Sequence, residues 1–198
     1  MSIKKKFLPS IHINSPVILG LFFISLAILL FNDLTGGSLN RMLACYWSSW
    51  SDLFMYLRLF THVLPHQNLA HFTGNFLLIL AVGPLVEEKY GATKTIIMVA
   101  FTALITGLIH ILFFRNTMLI GASGLVFMLI LLASFTNIRD GRLPLTVLLV
   151  GLLYIGNEAV TGIRSVDNIS HLTHIAGGLC GAGFGFFFHG NKIRKYSR

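Results

Sequence analysis

The chain has 198 residues, of which 55% are hydrophobic and only 11% charged, and it carries a net charge of +8. Soluble domains carry about a quarter charged residues, so this composition excludes an ordinary soluble fold and points to a membrane protein. The basic residues are scattered over several segments rather than gathered on one face, which argues against a nucleic-acid-binding function.

In chain order, apolar runs cover 16–31, 69–86, 95–114, 120–138, 143–157 and 169–188. Most are near the ~17–25 residues that carry a helix across hydrocarbon. The expected fold is therefore all-α, a compact bundle of six transmembrane helices that fills 1–198 as one domain. Lys4-Lys5-Lys6 before the first run has the form of a signal peptide, but no small-x-small cleavage site follows Phe31. The first span is expected to be retained.

The segment between the first two runs is neither a span nor a short loop. It mixes Tyr46, Trp47, Trp50, Phe54 and Tyr56 with polar residues, a pattern that favours the headgroup layer. Short helices lying partly in the outer leaflet are expected there. With a cytoplasmic N-terminus, the inner ends collect Lys4, Lys5, Lys6, Lys89, Lys94, Arg139, Arg142, Lys192, Arg194, Lys195 and Arg198. The outer segments keep Arg41, Arg58, Arg115 and Arg164. This bias places both termini in the cytoplasm of a multi-pass protein, in the cell (inner) membrane. Cys45 in the outer segment and Cys180 in the last run are too far apart in depth to pair.

The second, fourth and sixth runs all travel from outside to inside, and each carries polar residues near its outer end. These are His71 and Asn75, Ser123, and His174. Polar groups inside a membrane are costly and usually mark function. Ser123 lies in Gly121-Ala122-Ser123-Gly124, where small residues let backbone amides approach a substrate carbonyl. Taken alone, it also fits a small-residue packing face. His174 shares a helical stripe with Gly178, Gly181 and Gly185, so close packing of the sixth span on the fourth would bring its imidazole to the Ser123 hydroxyl as general base. No intramembrane carboxylate is available as a third member, so a Ser–His dyad is the economical arrangement. His71 and Asn75 are four apart on one face and can both donate hydrogen bonds to an oxyanion. His62 and His66 read as structural hydrogen-bonding groups of the outer segment, and Thr102, Thr106 and His110 as a structural face of the third span.

Two rival classes account for part of the pattern. His62, His66, His71, His171 and His174 cluster toward one membrane face and could hold haem or a metal, a reading that gives Asn75 and Gly121–Gly124 no task. A transporter would need a polar path through the whole bilayer, whereas the polar groups here stop in the outer half.

The motifs together resemble the rhomboid intramembrane serine proteases, in the six-span form and over nearly the whole chain. The second-span pattern stands as His62, His66, His71 and Asn75, the G-x-S-G pattern as Gly121–Gly124, and the final-span pattern as His174 followed by Gly177 and Gly181. Two positions depart from the family. Leu57 replaces the Trp that precedes Arg58, and Phe127 stands where relatives often carry a Tyr that packs on the histidine. The resemblance implies Ser123 as nucleophile, His174 as base, and an oxyanion hole of His71, Asn75 and the Ser123 amide. Gly121, Gly124, Phe127, His66 and Arg58 would support it. It further implies single-span membrane proteins as substrates, an outward-facing site, and no cofactor or metal.

Overall fold

Pro16 opens the first helix, α1 (Pro16–Asn32), at a position where its missing N–H is no loss. The structure is a computed structural model that describes residues 13–135 and 168–196, together with Leu145, Leu149, Leu152 and Leu153. Two short helices follow, α2 (Ser38–Leu43) and α3 (Leu53–Thr61). Asp52 starts α3 by accepting the Phe54 N–H at 2.9 Å. Asn68 caps α4 (Leu69–Tyr90) by accepting the His71 N–H at 2.9 Å. Gly91 then separates α4 from α5 (Ala92–Phe113), and the remaining helices are α6 (Ser123–Ser134) and α7 (Asn168–Tyr196). Among the described residues the only strand-like feature is an isolated bridge between Cys45 and Leu119. The described fold is all-helical, as expected.

The boundaries differ from the hydropathy reading in instructive places. α4 continues to Tyr90 and α5 starts at Ala92, because the polar stretch Glu87–Tyr90 stays helical and Gly91 alone makes the turn. The fourth expected run does not begin at 120, since the helix starts only at Ser123. α7 runs on to Tyr196. The expected fifth span, 143–157, lies outside the described residues except for four leucines, all helical. Of the described helices, α4 and α5 are long and apolar enough to cross a membrane, while α1 and α6 are shorter apolar helices.

α6 is the central helix. Its residues Leu125, Val126, Phe127, Met128, Leu129, Leu131 and Leu132 are all buried, as expected of a helix apolar on every side. Ile18 of α1, Phe72, Phe76, Ile79 and Val86 of α4, and Met98 of α5 close one core with it. The outward faces carry Leu77, Leu85, Ile97 and Phe113, each more than half exposed. Apolar exposure on this scale suits a lipid solvent.

Direction follows from specific contacts. Near the end of α4 the Glu87 carboxylate accepts the Val17 and Ile18 N–H groups, each at 3.0 Å, so α4 ends beside the start of α1 and the two are antiparallel. Gly177, Gly181 and Gly185 of α7 abut Gly124, Met128 and Phe135 in the same order, so α6 and α7 are parallel. A side chain at Gly177 or Gly181 would strike the backbone carbonyl of Gly124 or Met128. Gly181 and Gly185 thus allow the close packing that the sequence suggested, with Gly177 rather than the expected Gly178 at the Gly124 contact.

Candidate active site

The site begins with the segment that leads into α6. Gly121 has φ +111°, a region that favours glycine, and a Cβ there would lie 2.6 Å from His71 Cε1, 2.7 Å from His71 Nε2 and 3.6 Å from Asn75 Nδ2. Gly121-Ala122 therefore lies directly against the His71–Asn75 face of α4. Asn75 is buried, whereas His71, Ser123 and His174 are half-buried and reachable.

Several bonds fix this segment. Cys45 and Leu119 exchange backbone hydrogen bonds of 3.0 and 2.8 Å. The Gly121 N–H donates to the His62 carbonyl at 2.9 Å, and the Ala122 N–H to His66 Nε2 at 3.4 Å. As a result α6 starts recessed. Gly124 packs on Gly177 of α7.

His174 comes from the same contact. One residue before it, the Thr173 carbonyl is 3.7 Å from the Cβ position of Gly124. Its imidazole stacks on Phe127 with centroids 4.6 Å apart and planes 10° apart. The departure from Tyr at this position keeps the ring contact. His171, one turn nearer the helix start, meets His174 edge-on at 6.5 Å.

The segment between α1 and α4 holds further fixed groups near this site. Arg58 is buried, with its guanidinium 2.6 Å from Asp52 Oδ2, 3.1 Å from Ser48 Oγ and 4.1 Å over the Tyr46 ring. Hydrogen bonds from Ser48 and Arg58 hold the Asp52 carboxyl below its ordinary range. His62 Nε2 donates to the Ala103 carbonyl at 3.1 Å. Burial pushes His62 and His66 down to about 4, so both are neutral at physiological pH. Burial likewise pushes the Cys45 thiol up to about 12, and both cysteines are free. Thr106 donates to the Thr102 carbonyl at 2.9 Å, and His110 Nε2 donates to the Thr117 carbonyl at 3.1 Å, consistent with a structural face.

Among the described residues no group of three His, Cys, Asp or Glu side chains is placed to hold a metal ion. His62 and His66 already bond to protein groups, and nothing supports that alternative.

Sequence reasoning missed two connections. His66 reaches beyond the outer segment, since its Nε2 lies 3.0 Å from Asn75 Nδ2. Its place in the His-x-x-x-His-x-x-x-x-His-x-x-x-Asn pattern was the available signal. Asn40 was not singled out at all, yet its Nδ2 donates to the His66 carbonyl at 2.9 Å. No local pattern announces that bond.

The family model described as Rhomboid domain matches residues 53–191. Rhomboid protease GluP of Bacillus subtilis (strain 168) is 27% identical over 169 residues, which make up 81% of this chain and 33% of that protein. The chain thus spans about one third of the length of that relative.

Proposed function

The chain belongs to the rhomboid family, whose members are integral membrane proteins, and we propose that it is an intramembrane serine endopeptidase. The observation that carries this reading is the placement of Gly121–Gly124. Its first glycine lies against His71 and Asn75, and its last packs beneath the turn that carries His174. These contacts support a reading in which Ser123 works between the His71–Asn75 pair and the helix that carries His174.

Ser123 Oγ attacks the scissile carbonyl while His174 takes its proton. The developing oxyanion accepts hydrogen bonds from His71, Asn75 and the Ser123 N–H, an amide that has no intrahelical partner at the start of α6. His174 then gives its proton to the leaving amine. Water attacks the acyl-enzyme, with His174 again as base, to release the second product and restore Ser123. Phe127 holds the imidazole plane through stacking. His66, Arg58, Gly121 and Gly124 keep the surrounding backbone in place. No cofactor or metal enters these steps.

Substrates are single-span membrane proteins, whose helix must unwind locally to present a carbonyl, so weak helix formers near the cut favour cleavage. The protein crosses the cell (inner) membrane six times, with both termini cytoplasmic and the site open to the outside. The basic-residue bias and the pairing of the α1 start with the α4 end support that orientation. A fluorophosphonate probe applied to the detergent-purified protein tests the reading. Labelling of Ser123 that disappears in His174→Ala is expected. Failure of the folded wild type to label would overturn it.

A further inference from the structure

We propose that His66 is a positioning residue for the oxyanion hole: its Nε2 ties the Asn75 side chain of α4 to the Ala122–Ser123 backbone of α6. This rests on the reading of Ser123 as nucleophile and adds a role that the dyad does not require.

The tautomer follows from the partners. His66 Nδ1 is 3.0 Å from the Leu64 carbonyl, which can only accept, so the proton sits on Nδ1 and Nε2 carries the lone pair. The Ala122 N–H, 3.4 Å from Nε2, can only donate and leads independently to the same assignment. Asn75 Nδ2 at 3.0 Å must then donate as well. That bond fixes which way the Asn75 amide faces, and it leaves the other Nδ2 hydrogen for a substrate oxygen. One buried lone pair therefore orients a side-chain donor on α4 and the backbone immediately before Ser123.

His66 is itself held firmly. It is fully buried, and the rings of His71, Phe72 and Phe76 surround it with centroids 5.1, 5.5 and 5.5 Å away. Its carbonyl accepts from Asn40 Nδ2 at 2.9 Å, and the Asn40 N–H donates to Asn32 Oδ1 at 3.0 Å. The end of α1 is thereby linked, through His66, to the start of α6. Protonation at Nε2 would set three donors against one another and force the Asn75 amide to turn. The titratable group that faces His66 is His71 on α4; Asn75, Phe72 and Phe76 face it from the same helix, and Ala122 faces it from the α6 segment. The His62 ring, four residues earlier, makes no such link, since it meets Ala103 and Thr106 of α5 instead, and only the His62 carbonyl reaches the α6 segment.

The test is a double-mutant cycle on the full chain in liposomes, reading kcat and KM on one transmembrane substrate. His66→Phe keeps a ring and removes the acceptor, while His66→Gln restores an acceptor oxygen. His66→Phe is expected to lower kcat by about 10–100-fold with KM changed less than about twofold, as for a misaligned donor. His66→Gln should recover part of that loss. In an Asn75→Ala background, His66→Phe should lower kcat by less than about threefold, because the donor it orients has gone. Multiplying losses in the double variant, or wild-type kcat in His66→Phe, would overturn the proposal. If His66→Phe fails to fold, His66→Leu, which also removes the acceptor, takes its place in the cycle and is read in the same way. Cleavage that persists in Ser123→Ala would instead remove the serine reading itself.

Discussion

The Phe127 ring lies parallel to the His174 imidazole, with centroids 4.6 Å apart and planes at 10°. Each ring sits on one of the two parallel helices that meet at Gly124 and Gly177, so the stack orients the imidazole from across the interface. Such a pair contributes about 0.5–1.5 kcal/mol beyond area burial. Phe127→Leu should therefore lower kcat/KM by up to about tenfold. Phe127→Tyr should keep the wild-type rate within about threefold, because the ring remains. Kinetics of both variants on one substrate, with Tm measured alongside, check this.

The glycines of α7 are not equivalent. A Cβ at Gly177 would collide with the Gly124 carbonyl, whereas one at Gly183 would meet open space. Gly177→Ala should destabilise by at least about 1–3 kcal/mol through overpacking. Gly183→Ala should stabilise by about 0.5–1 kcal/mol through helix propensity. Thermal unfolding of the two variants in one detergent gives opposite signs if the helix contact is as described.

Glu87 offers a test at the other end of the bundle. It is 3% exposed and accepts two N–H groups of α1. Glu87→Ala leaves those amides without an acceptor, at about 1–3 kcal/mol for each buried group. Glu87→Gln keeps one acceptor oxygen and should fall between. A Tm of Glu87→Ala equal to wild type would show that water replaces the carboxylate there.

The polar residues of the site were legible because hydrocarbon makes them rare. His71, Asn75, Ser123 and His174 stood out against apolar runs, and the stripe of Gly178, Gly181 and Gly185 indicated a close helix contact, which Gly181 and Gly185 make together with Gly177. The start of α6 was not legible. Ile120, Gly121 and Ala122 are as apolar as a helix, and only the non-local bonds from Leu119 to Cys45 and from Gly121 to His62 hold them out of one. Glu87 was passed over for a related reason. It lies at the end of an apolar run, where a charge is ordinarily solvated, and its two partners are about 70 residues earlier in the chain. The His66–Asn75 bond depends on how a loop folds back onto α4, which spacing alone does not determine.

Stability should depend on acid through His62 and His66. Both lie below the ordinary value of 6.5, at about 4, because burial disfavours the charged ring. The unfolded chain therefore binds protons before the folded one does. The stabilisation is complete above about pH 6.5 and is lost progressively as pH falls through the folded value near 4. The Tm of Ser123→Ala, followed from pH 8 to pH 4, should hold steady and then drop below about 6.5. A flat profile would mean that these rings are not buried in neutral form.

Turnover of one transmembrane substrate by folded Ser123→Ala, His174→Ala, Asn75→Ala and His71→Ala variants in liposomes tests the dyad and its oxyanion hole most directly. Ser123→Ala and His174→Ala should show no covalent turnover. Asn75→Ala and His71→Ala should each retain slow cleavage, reduced about 10²–10³-fold, because the Ser123 amide and the remaining side chain still donate. Wild-type rates in both Asn75→Ala and His71→Ala would make α4 a structural element only. Cleavage by Ser123→Ala would contradict the serine mechanism altogether.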